Sequence, residues 1–304
     1  MYYESSDFLE TADSDTLKQI ARTRELTREY YFSDYGDIEK RTSILRELLG
    51  GIGENVLIDT PFHCDYGKNI FLGNDVIINM NCTFVDNKTI RIGDRVLIAS
   101  NVQMYTSSHP VLPQERLVPD WRERKTTFFR TYARPIEIEN NVWIGGGCIL
   151  LPGVTIGENV LIDTPFHCDY GKNIFLGNDV IINMNCTFVD NKTIRIGDRV
   201  LIASNVQIYT SSHPVLPQER LVPDWMERQT TFFRTYARPI EIENNVWIGG
   251  GCILLPGVTI GENSVIGAGS VVTRPVPPNC VAVGNPCRVI RYFDTGRERW
   301  QHEV

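Results

Sequence analysis

The strongest constraint on the fold is an internal duplication. Residues 52–155 reappear as residues 156–259 with three differences, Met104/Ile208, Arg122/Met226 and Lys125/Gln229. The tetrapeptide Ile-Gly-Glu-Asn marks the repeat boundaries, beginning at Ile52, Ile156 and Ile260. The fold must therefore accept a second copy of the same 104 residues directly after the first.

Each copy carries a finer period of six residues. An apolar residue begins each six-residue unit, and Gly, Asn and Asp follow it, as in IGDRVL and LGNDVI. A second small or aliphatic residue stands four positions after the first. Apolar residues with this spacing, and corner residues that tolerate positive φ, are typical of a parallel β-helix. The unit-starting residues of the first copy are Ile52, Ile58, Cys64, Leu72, Ile78, Phe84, Ile92, Ile98, Met104, Ile138, Ile144 and Leu150.

The length of the repeat matches whole coils of such a helix. Four coils of 18 residues, two short inserts (70–71 and 90–91) and the loop 110–137 account for the 104 residues. The duplication therefore keeps every inward position inward. We predict an all-β solenoid of about nine coils over residues 52–277, in one prism, because each coil of a solenoid contacts only its neighbours. Its loops are 110–137 and 214–241.

The flanking segments differ from the coils. Residues 14–31 and 37–49 have helical spacing, with Leu17, Leu26, Ile38 and Ile44 among the apolar positions, and Ser14 or Asp37 is a suitable N-cap. Residues 1–51 are therefore predicted to form a helical cap over the first coil. Residues 278–304 are predicted to form a C-terminal tail.

The composition excludes several classes of protein. The net charge is −7, which disfavours nucleic acid and anionic membranes as partners. No apolar run has the length of a membrane span, and the acidic N-terminus lacks a signal-peptide core, so a cytoplasmic protein is predicted. The eight cysteines include no CxxC pair and are predicted to be small core residues rather than metal ligands or disulfides.

Polar residues collect where the coil pattern is interrupted. The irregular units begin at Cys64, Phe84 and Met104, and each is followed by an insert or by the long loop. Asp65, Asp86 and His109 are therefore expected along one edge, and Asp169, Asp190 and His213 along the equivalent edge of the second copy. Each Asp alone is equally consistent with a turn residue, so these positions are candidates for a site.

Three segments carry a resemblance to known proteins, namely DYGKNIFLGNDVIINMNCTFVDN, YTSSHP and NNVWIGGGCILLPGVTIGENSVIGAGSVVTRPVPPN. They resemble the sugar O-acetyltransferases of the hexapeptide class, the maltose and galactoside acetyltransferases. This resemblance implies a left-handed parallel β-helix, a homotrimer, and acetyl transfer from acetyl-CoA to a hydroxyl in clefts between subunits, with no metal required.

The resemblance also implies residue roles. The His of YT-x-x-HP is the general base, which gives His109 and His213. The acceptor contacts are implied to be Asp65, Asn79, Asp86, Asp169, Asn183 and Asp190. The coenzyme contacts are implied to be Trp143, Trp247, Ala268, Thr273, Arg274, Arg288 and Arg291.

The two sites are predicted to be unequal. The second copy continues into SVIGAGSVVTR, whereas the first continues into VLIDTPFHCDY, so Thr164 and Tyr170 stand where Ala268 and Arg274 would follow. His213 is therefore expected to carry most of the transfer.

Two alternatives stay open at this point. One is a non-catalytic scaffold, elongated by a natural or engineered duplication that impairs both sites. The other is a zinc carbonic anhydrase, which needs three histidine ligands; the five histidines of this chain include no close pair.

Overall fold

The computed structural model describes residues 8–9, 14–110, 113–124, 127–228 and 230–302. Lys125 and Gln229, one of the three differences between the copies, lie outside these residues, as do residues 1–7. The chain divides into two compact units, residues 1–155 and 156–304. This division coincides with the boundary between the two sequence copies, and each unit is described by itself.

The first unit is a parallel β-helix of four coils, each made of three short strands joined by corners. Strands at equivalent positions of successive coils pair in parallel, for example Ile70–Leu72 with Ile90–Ile92. The first face holds Gly51–Ile52, Ile70–Leu72, Ile90–Ile92 and Ile136–Ile138; the second holds Leu57–Ile58, Ile77–Ile78, Leu97–Ile98 and Trp143–Ile144; the third holds Phe62–Cys64, Cys82–Val85, Gln103–Tyr105 and Ile149–Leu150.

The second unit repeats this architecture with five coils. Its first coil begins in strand Thr155–Ile156, in which the unit boundary falls. The first face then holds Ile174–Leu176, Ile194–Ile196, Ile240–Ile242 and Thr259–Ile260; the second holds Leu161–Ile162, Ile181–Ile182, Leu201–Ile202, Trp247–Ile248, Val265–Ile266 and Cys280–Val283; the third holds Phe166–Cys168, Cys186–Val189, Gln207–Tyr209, Ile253–Leu254 and Val271–Val272. The first unit has four coils and the second has five, which confirms the predicted number of about nine. That the two units form one prism stays a prediction.

The six-residue period corresponds to side chains that point into each coil. Ile58, Ile78, Ile98 and Ile144 are fully buried at equivalent positions of successive coils. Met104 and Ile208, the core difference between the copies, are both fully buried too. Seven of the eight cysteines are buried and Cys168 is partly buried, and this burial confirms their predicted role as small core residues.

The corners between faces depend on left-handed backbone and on polar ladders. Asn55 and Asp75 have φ near +56° and +57°, and Arg95 adopts the same conformation at +55°. Asn and Asp were expected at such positions, but Arg was not. The guanidinium of Arg95 donates to the side-chain oxygen of Asn141 at 2.6 Å, on the corner of the next coil. The charged residue thus bonds along the corner, as Asn55 does with Asp75.

Helices α1 (Ser14–Phe32) and α2 (Ile38–Leu48) pack on the first coil of the first unit and confirm the predicted cap. The Tyr30 hydroxyl donates to the Ile58 carbonyl at 2.6 Å, and Asp37 caps α2 by accepting the Lys40 N–H. Leu17 and Ile38 were expected in the apolar stripes, but both are exposed, because each precedes the first buried residue of its helix, Thr23 in α1 and Arg41 in α2.

The loop of each unit folds back on the strand that precedes it. In the first unit Ser107–Ser108 pairs antiparallel with Thr131–Ala133, and short helices α3 (Pro113–Arg116) and α4 (Trp121–Arg124) lie between them in the sequence. In the second unit Ser211–Ser212 pairs with Tyr236–Ala237, with α5 (Pro217–Arg220) between them. The N-terminal strand Phe8–Leu9 adds to the first of these sheets only.

The predicted tail is more ordered than its composition suggests. Cys280–Val283 pairs in parallel with Val265–Ile266, so the coil ladder continues past the predicted boundary at residue 277. Arg288–Asp294 and Arg299–His302 then form an antiparallel hairpin on the same sheet.

Candidate active site

The histidine of the first copy follows strand Ser107–Ser108 and is held by the returning loop. The His109 ring is exposed, and its Nδ1 lies 3.0 Å from the Arg130 carbonyl oxygen. The Phe129 ring packs edge-on against it, with centroids 4.9 Å apart. Because a carbonyl oxygen only accepts, Nδ1 carries the proton, and Nε2 of the neutral ring is left with its lone pair.

The second copy repeats this arrangement. Nδ1 of His213 lies 2.9 Å from the Arg234 carbonyl oxygen, and the Phe233 ring lies 5.0 Å from the imidazole, again edge-on. The same tautomer is therefore selected in both copies, and in both Nε2 of the exposed histidine is suited to accept a proton from a bound hydroxyl.

Asp86 lies inside the corner that follows the third strand, not on the surface. Its side chain is fully buried, and its carboxylate accepts the N–H groups of Asp65 at 2.9 Å, Tyr66 at 2.8 Å and Asn69 at 3.4 Å. Burial raises the pKa of Asp86 to about 6, and these backbone hydrogen bonds oppose the rise. A carboxylate committed to the backbone shapes the turn, so the geometry does not support the expected direct contact between Asp86 and the acceptor.

Asp190 repeats this role in the second copy. It is fully buried and accepts the N–H groups of Tyr170 at 2.8 Å and Asn173 at 3.3 Å, and burial raises its pKa. It too lies in the turn, which speaks against direct acceptor contact.

Asp65 lies where the cap meets the first coil. Its carboxylate pairs with the Arg24 guanidinium of α1 at 3.1 Å, and Arg24 also donates to the Cys64 carbonyl at 2.7 Å. A cavity of about 400 Å³ is lined by Arg24, His63, Asp65 and Thr83, together with Cys64 and Phe84.

A neighbouring cavity shares His63 with the first. It measures about 310 Å³ and is lined by Thr27, Arg28, Tyr31, Pro61, Phe62 and His63. Sequence analysis missed Arg24, Arg28 and His63. The available signal was the spacing of the two arginines, four residues apart and hence on one face of a predicted helix.

Asp169, the equivalent of Asp65 in the second unit, lacks this cover. Asp169 is exposed, whereas Asp65 is partly buried. Among the described residues of the second unit the only helix is α5, which has four residues. The polar cavity beside Asp65 therefore belongs to the first unit.

Asn79 and Trp143 lie on the second face, whereas His109 follows the third. The Asn79 amide donates to the Ile98 carbonyl at 2.9 Å, and Asn183 does the same to Ile202. Trp143 pairs with Leu97 in an outward-facing apolar ladder, which continues through Ile77 and Leu57. Within one unit these residues thus stand on a different corner from the histidine.

The second unit has an equivalent ladder that includes Trp247. Leu161, Ile181, Leu201, Trp247 and Val265 stand in register, and Trp247 is half exposed.

The remaining coenzyme candidates all belong to the second unit. Ala268, Thr273 and Arg274 are exposed and follow strands of its last coil, and Arg288 and Arg291 are exposed in the hairpin. The backbone comes very close to its neighbour here, since a Cβ added to Gly249 would lie 2.5 Å from the Ala268 nitrogen. This contact explains the glycine after Trp247-Ile248. No cluster of His, Cys, Asp or Glu in the described part of the chain is arranged to hold a metal ion. Nor does any described helix have the length and apolar character to cross a membrane.

Known proteins resemble this chain in sequence and in fold. The family model "Bacterial transferase hexapeptide (six repeats)" matches residues 135–163 and 239–274. The galactoside O-acetyltransferase of Escherichia coli is 41% identical over 189 residues, which are 62% of this chain and 84% of that protein. The chain belongs to the hexapeptide-repeat sugar O-acetyltransferase family. The prediction that it is an acetyltransferase is thereby confirmed.

Two further similarities fit this acetyltransferase family. The galactoside O-acetyltransferase of Lactococcus lactis is 46% identical over 137 residues, 45% of this chain and 61% of its own length. The crystal structure of an Arabidopsis UDP-N-acetylglucosamine acyltransferase superposes with a TM-score of 0.53 at 16% identity, covering 79% of this chain and 69% of that one. The second similarity shows the fold alone.

Proposed function

We propose that this acetyltransferase moves the acetyl group of acetyl-CoA to a hydroxyl of a sugar, with a histidine of YT-x-x-HP as general base. The observation that carries the proposal is the hydrogen bond from Nδ1 to a loop carbonyl at both His109 and His213. It holds the ring in the tautomer whose Nε2 accepts a proton.

Nε2 takes part in two proton transfers, first as a base and then as an acid. Nε2 takes the proton of the acceptor hydroxyl as its oxygen attacks the thioester carbonyl. The resulting tetrahedral adduct then expels the coenzyme A thiolate, and the imidazolium returns the proton to the sulfur. The products are an O-acetyl ester and free coenzyme A, and no metal enters the balance.

A sugar acceptor is supported by the names of the relatives and by polar groups in the first unit. The two bacterial relatives are named as acting on galactosides. In this chain the cavity beside Asp65 offers a carboxylate, the Arg24 guanidinium and the Thr83 hydroxyl, which hydrogen-bond well to sugar hydroxyls. Asn79, and Asn183 and Asp169 in the second copy, are assigned as further acceptor contacts.

A homotrimer is the assembly that best uses the apolar ladder. An outward row of Leu57, Ile77, Leu97 and Trp143 exposes large apolar side chains on a flat face, which is typical of an interaction surface. Packing this face against a neighbouring chain brings the Trp and Asn of one chain toward the histidine corner of another. Light scattering should give three chains per particle; a monomer at micromolar concentration would remove the shared cleft. A cytoplasmic location stays a prediction.

The two histidines are expected to contribute unequally. The second unit holds His213 together with Ala268, Thr273, Arg274 and the two hairpin arginines, which we assign to the coenzyme. The first unit holds His109 together with the polar cavity under the cap. Orienting the acetyl donor supplies much of the rate of a two-substrate transfer. The site around His213 should therefore carry most of the activity, although it should bind the acceptor weakly.

The test compares His109→Ala with His213→Ala at saturating acetyl-CoA, by release of the free thiol in the presence of a galactoside. His213→Ala should lose at least about 100-fold in rate, since general base catalysis contributes that much, and His109→Ala should stay within a few-fold of the parent. The opposite ranking would reverse the assignment. No thiol release from the parent with any sugar tested would favour the non-catalytic scaffold. The parent rate should also survive dialysis against EDTA, and its loss would refute the metal-free mechanism.

A further inference from the structure

The loop sheets of the two units differ although their sequences are the same. In the first unit Thr131–Ala133 is the central strand of three, between Ser107–Ser108 and the N-terminal strand Phe8–Leu9. In the second unit the equivalent strand Tyr236–Ala237 has only Ser211–Ser212 beside it among the described residues. One edge of the second loop sheet is therefore open.

The N-terminal strand occupies a defined register on the first loop. Phe8 stands opposite Tyr132 and Leu9 opposite Thr131, in an antiparallel pair. Tyr132 is 5% exposed there, whereas Tyr236 is 46% exposed. Since residues 127–133 and 231–237 are identical, the difference in exposure marks where the N-terminal strand covers one loop and not the other.

The backbone of the open edge keeps the hydrogen-bonding groups that the first loop uses. Arg134 donates its N–H to Thr106, and Arg238 donates to Thr210 with the same length of 2.8 Å. Because N–H groups alternate between the two sides of an antiparallel strand, Thr131 and Thr235 present theirs to the opposite edge. In the first unit that edge faces Leu9, and in the second it is available to another strand.

We propose that the open edge of strand Tyr236–Ala237 is a docking site for the Phe8–Leu9 segment of a second copy of this chain. Each chain carries two edges of this sequence and one segment that fits them. The segment of the second molecule therefore reaches this edge by leaving its own first loop, so that one identical pairing replaces another. An extended segment adds to such an edge through main-chain hydrogen bonds, and its side chains select the register. Leu9 would pair with Thr235, and Phe8 would cover Tyr236.

Docking at this edge has a consequence for the second site. The edge strand directly follows Arg234, whose carbonyl holds His213. An added strand would pair with Thr235, the residue after Arg234, as Leu9 pairs with Thr131, the residue after Arg130, beside His109.

The experiment uses a fluorescent peptide of residues 1–13 and two proteins, the full chain and a shortened chain that begins at Ser14. Anisotropy titrations should give one peptide bound per full chain and two per shortened chain. In the full chain, hydrogen exchange of residues 235–237 should slow when the peptide is added, and that of residues 131–133 should not change. Failure of the full chain to bind the peptide would overturn the proposal, as would exchange protection elsewhere only.

Two variants test the register. A peptide with Leu9→Pro lacks the N–H that faces the edge, so it should lose at least tenfold in affinity, and it cannot disturb the folding of the protein. Thr235→Pro in the full chain should abolish binding of the parent peptide. Unchanged binding in both cases would refute the paired register.

The last measurement tests whether the docked segment comes from a second molecule of this chain. Sedimentation of the full chain should show concentration-dependent association beyond that of the shortened chain, and Thr235→Pro should remove the excess. Equal sedimentation of the full and shortened chains would show that the segment stays on its own first loop. It would refute the proposal that a second molecule supplies the segment.

Discussion

Replacing Asp86 by Asn should change how the stability of the protein depends on pH. Asp86 is fully buried, and burial raises its pKa to about 6, with no charged partner among the causes. An unfolded Asp titrates near a pKa of about 3.9. The folded protein therefore binds the proton more tightly than the unfolded chain does, and the stability that this proton provides is complete below pH 4 and lost as the pH rises through 6.

The magnitude follows from the distance between the two pKa values. A shift of roughly two units corresponds to about 3 kcal/mol across the whole window, of which about 2 kcal/mol falls between pH 4.5 and 7.5. The Asn side chain does not titrate and still offers one oxygen to the N–H groups of Asp65 and Tyr66. Its NH2 group takes the place of Oδ2, so the long bond from the Asn69 N–H, at 3.4 Å, is lost at every pH. The free energy of unfolding of Asp86→Asn, relative to that of the parent, should therefore increase by about 2 kcal/mol as the pH rises from 4.5 to 7.5.

Urea unfolding of parent and variant at pH 4.5, 5.5, 6.5 and 7.5 measures this difference directly. Asp190 is buried in the equivalent turn and its pKa is raised by the same cause, so Asp190→Asn is a matched variant that should change the pH dependence in the same direction. Asp86→Ala separates the effect of charge from that of hydrogen bonding, because it leaves the N–H groups of the turn without an acceptor. It should destabilise the protein at every pH by about 2 kcal/mol or more. A difference between parent and Asp86→Asn that is constant with pH would refute the argument. A parent that grows more stable than Asp86→Asn as the pH rises would also refute it.

Three further predictions concern packing and are measured by urea unfolding. Tyr132→Ala should cost about 3 kcal/mol because Tyr132 is buried under Phe8–Leu9, whereas Tyr236→Ala in dilute protein should cost under about 1 kcal/mol; equal losses would contradict the difference in burial. Met104→Ile should cost under about 1.5 kcal/mol, as the same position holds Ile208, while Ile98→Asp should prevent folding by burying a charge; soluble Ile98→Asp with parental unfolding would contradict the register. Gly177→Ala should destabilise by more than about 1 kcal/mol, because its Cβ would lie 2.5 Å from the Asp198 carboxylate, while Gly36→Ala, with 3.5 Å to its nearest neighbour, should have little effect.

The sequence predicts the coils well because their period reports one physical requirement. A side chain that points into a narrow coil must be apolar at Ile58, Ile78 and Ile98 alike, and a break in the pattern marks a loop. The histidine loop was also predictable, since His109 and His213 stand at the point of interruption. The carbonyl that selects their tautomer was not, because a backbone acceptor 21 residues away leaves no mark in the sequence.

The role of Asp86 shows where local pattern stops being informative. An acidic residue two positions after a buried Phe84 reads equally as an exposed site residue or as a buried turn residue. The neighbouring turn decides between them, because its Asp65 and Tyr66 N–H groups, 21 and 20 residues earlier in the chain, both donate to the carboxylate. Arg24 was missed for a related reason, since its partner Asp65 lies 41 residues away in another kind of element.

The duplication separates what a segment's own residues determine from what its surroundings determine. Identical residues keep their inward positions, their left-handed corners and the hydrogen bond of the histidine in both copies, so these features belong to the repeat itself. Tyr132 and Tyr236 differ in exposure because only the first unit holds a strand that comes from outside the repeat. Asp65 and Asp169 differ because the helix that carries Arg24 is also outside it. The repeat thus supplies the proposed base twice. The flanks supply Arg24 beside Asp65 and the proposed coenzyme residues Ala268, Thr273 and Arg274 once each, in different units, and this division is the physical reason to expect two unequal sites.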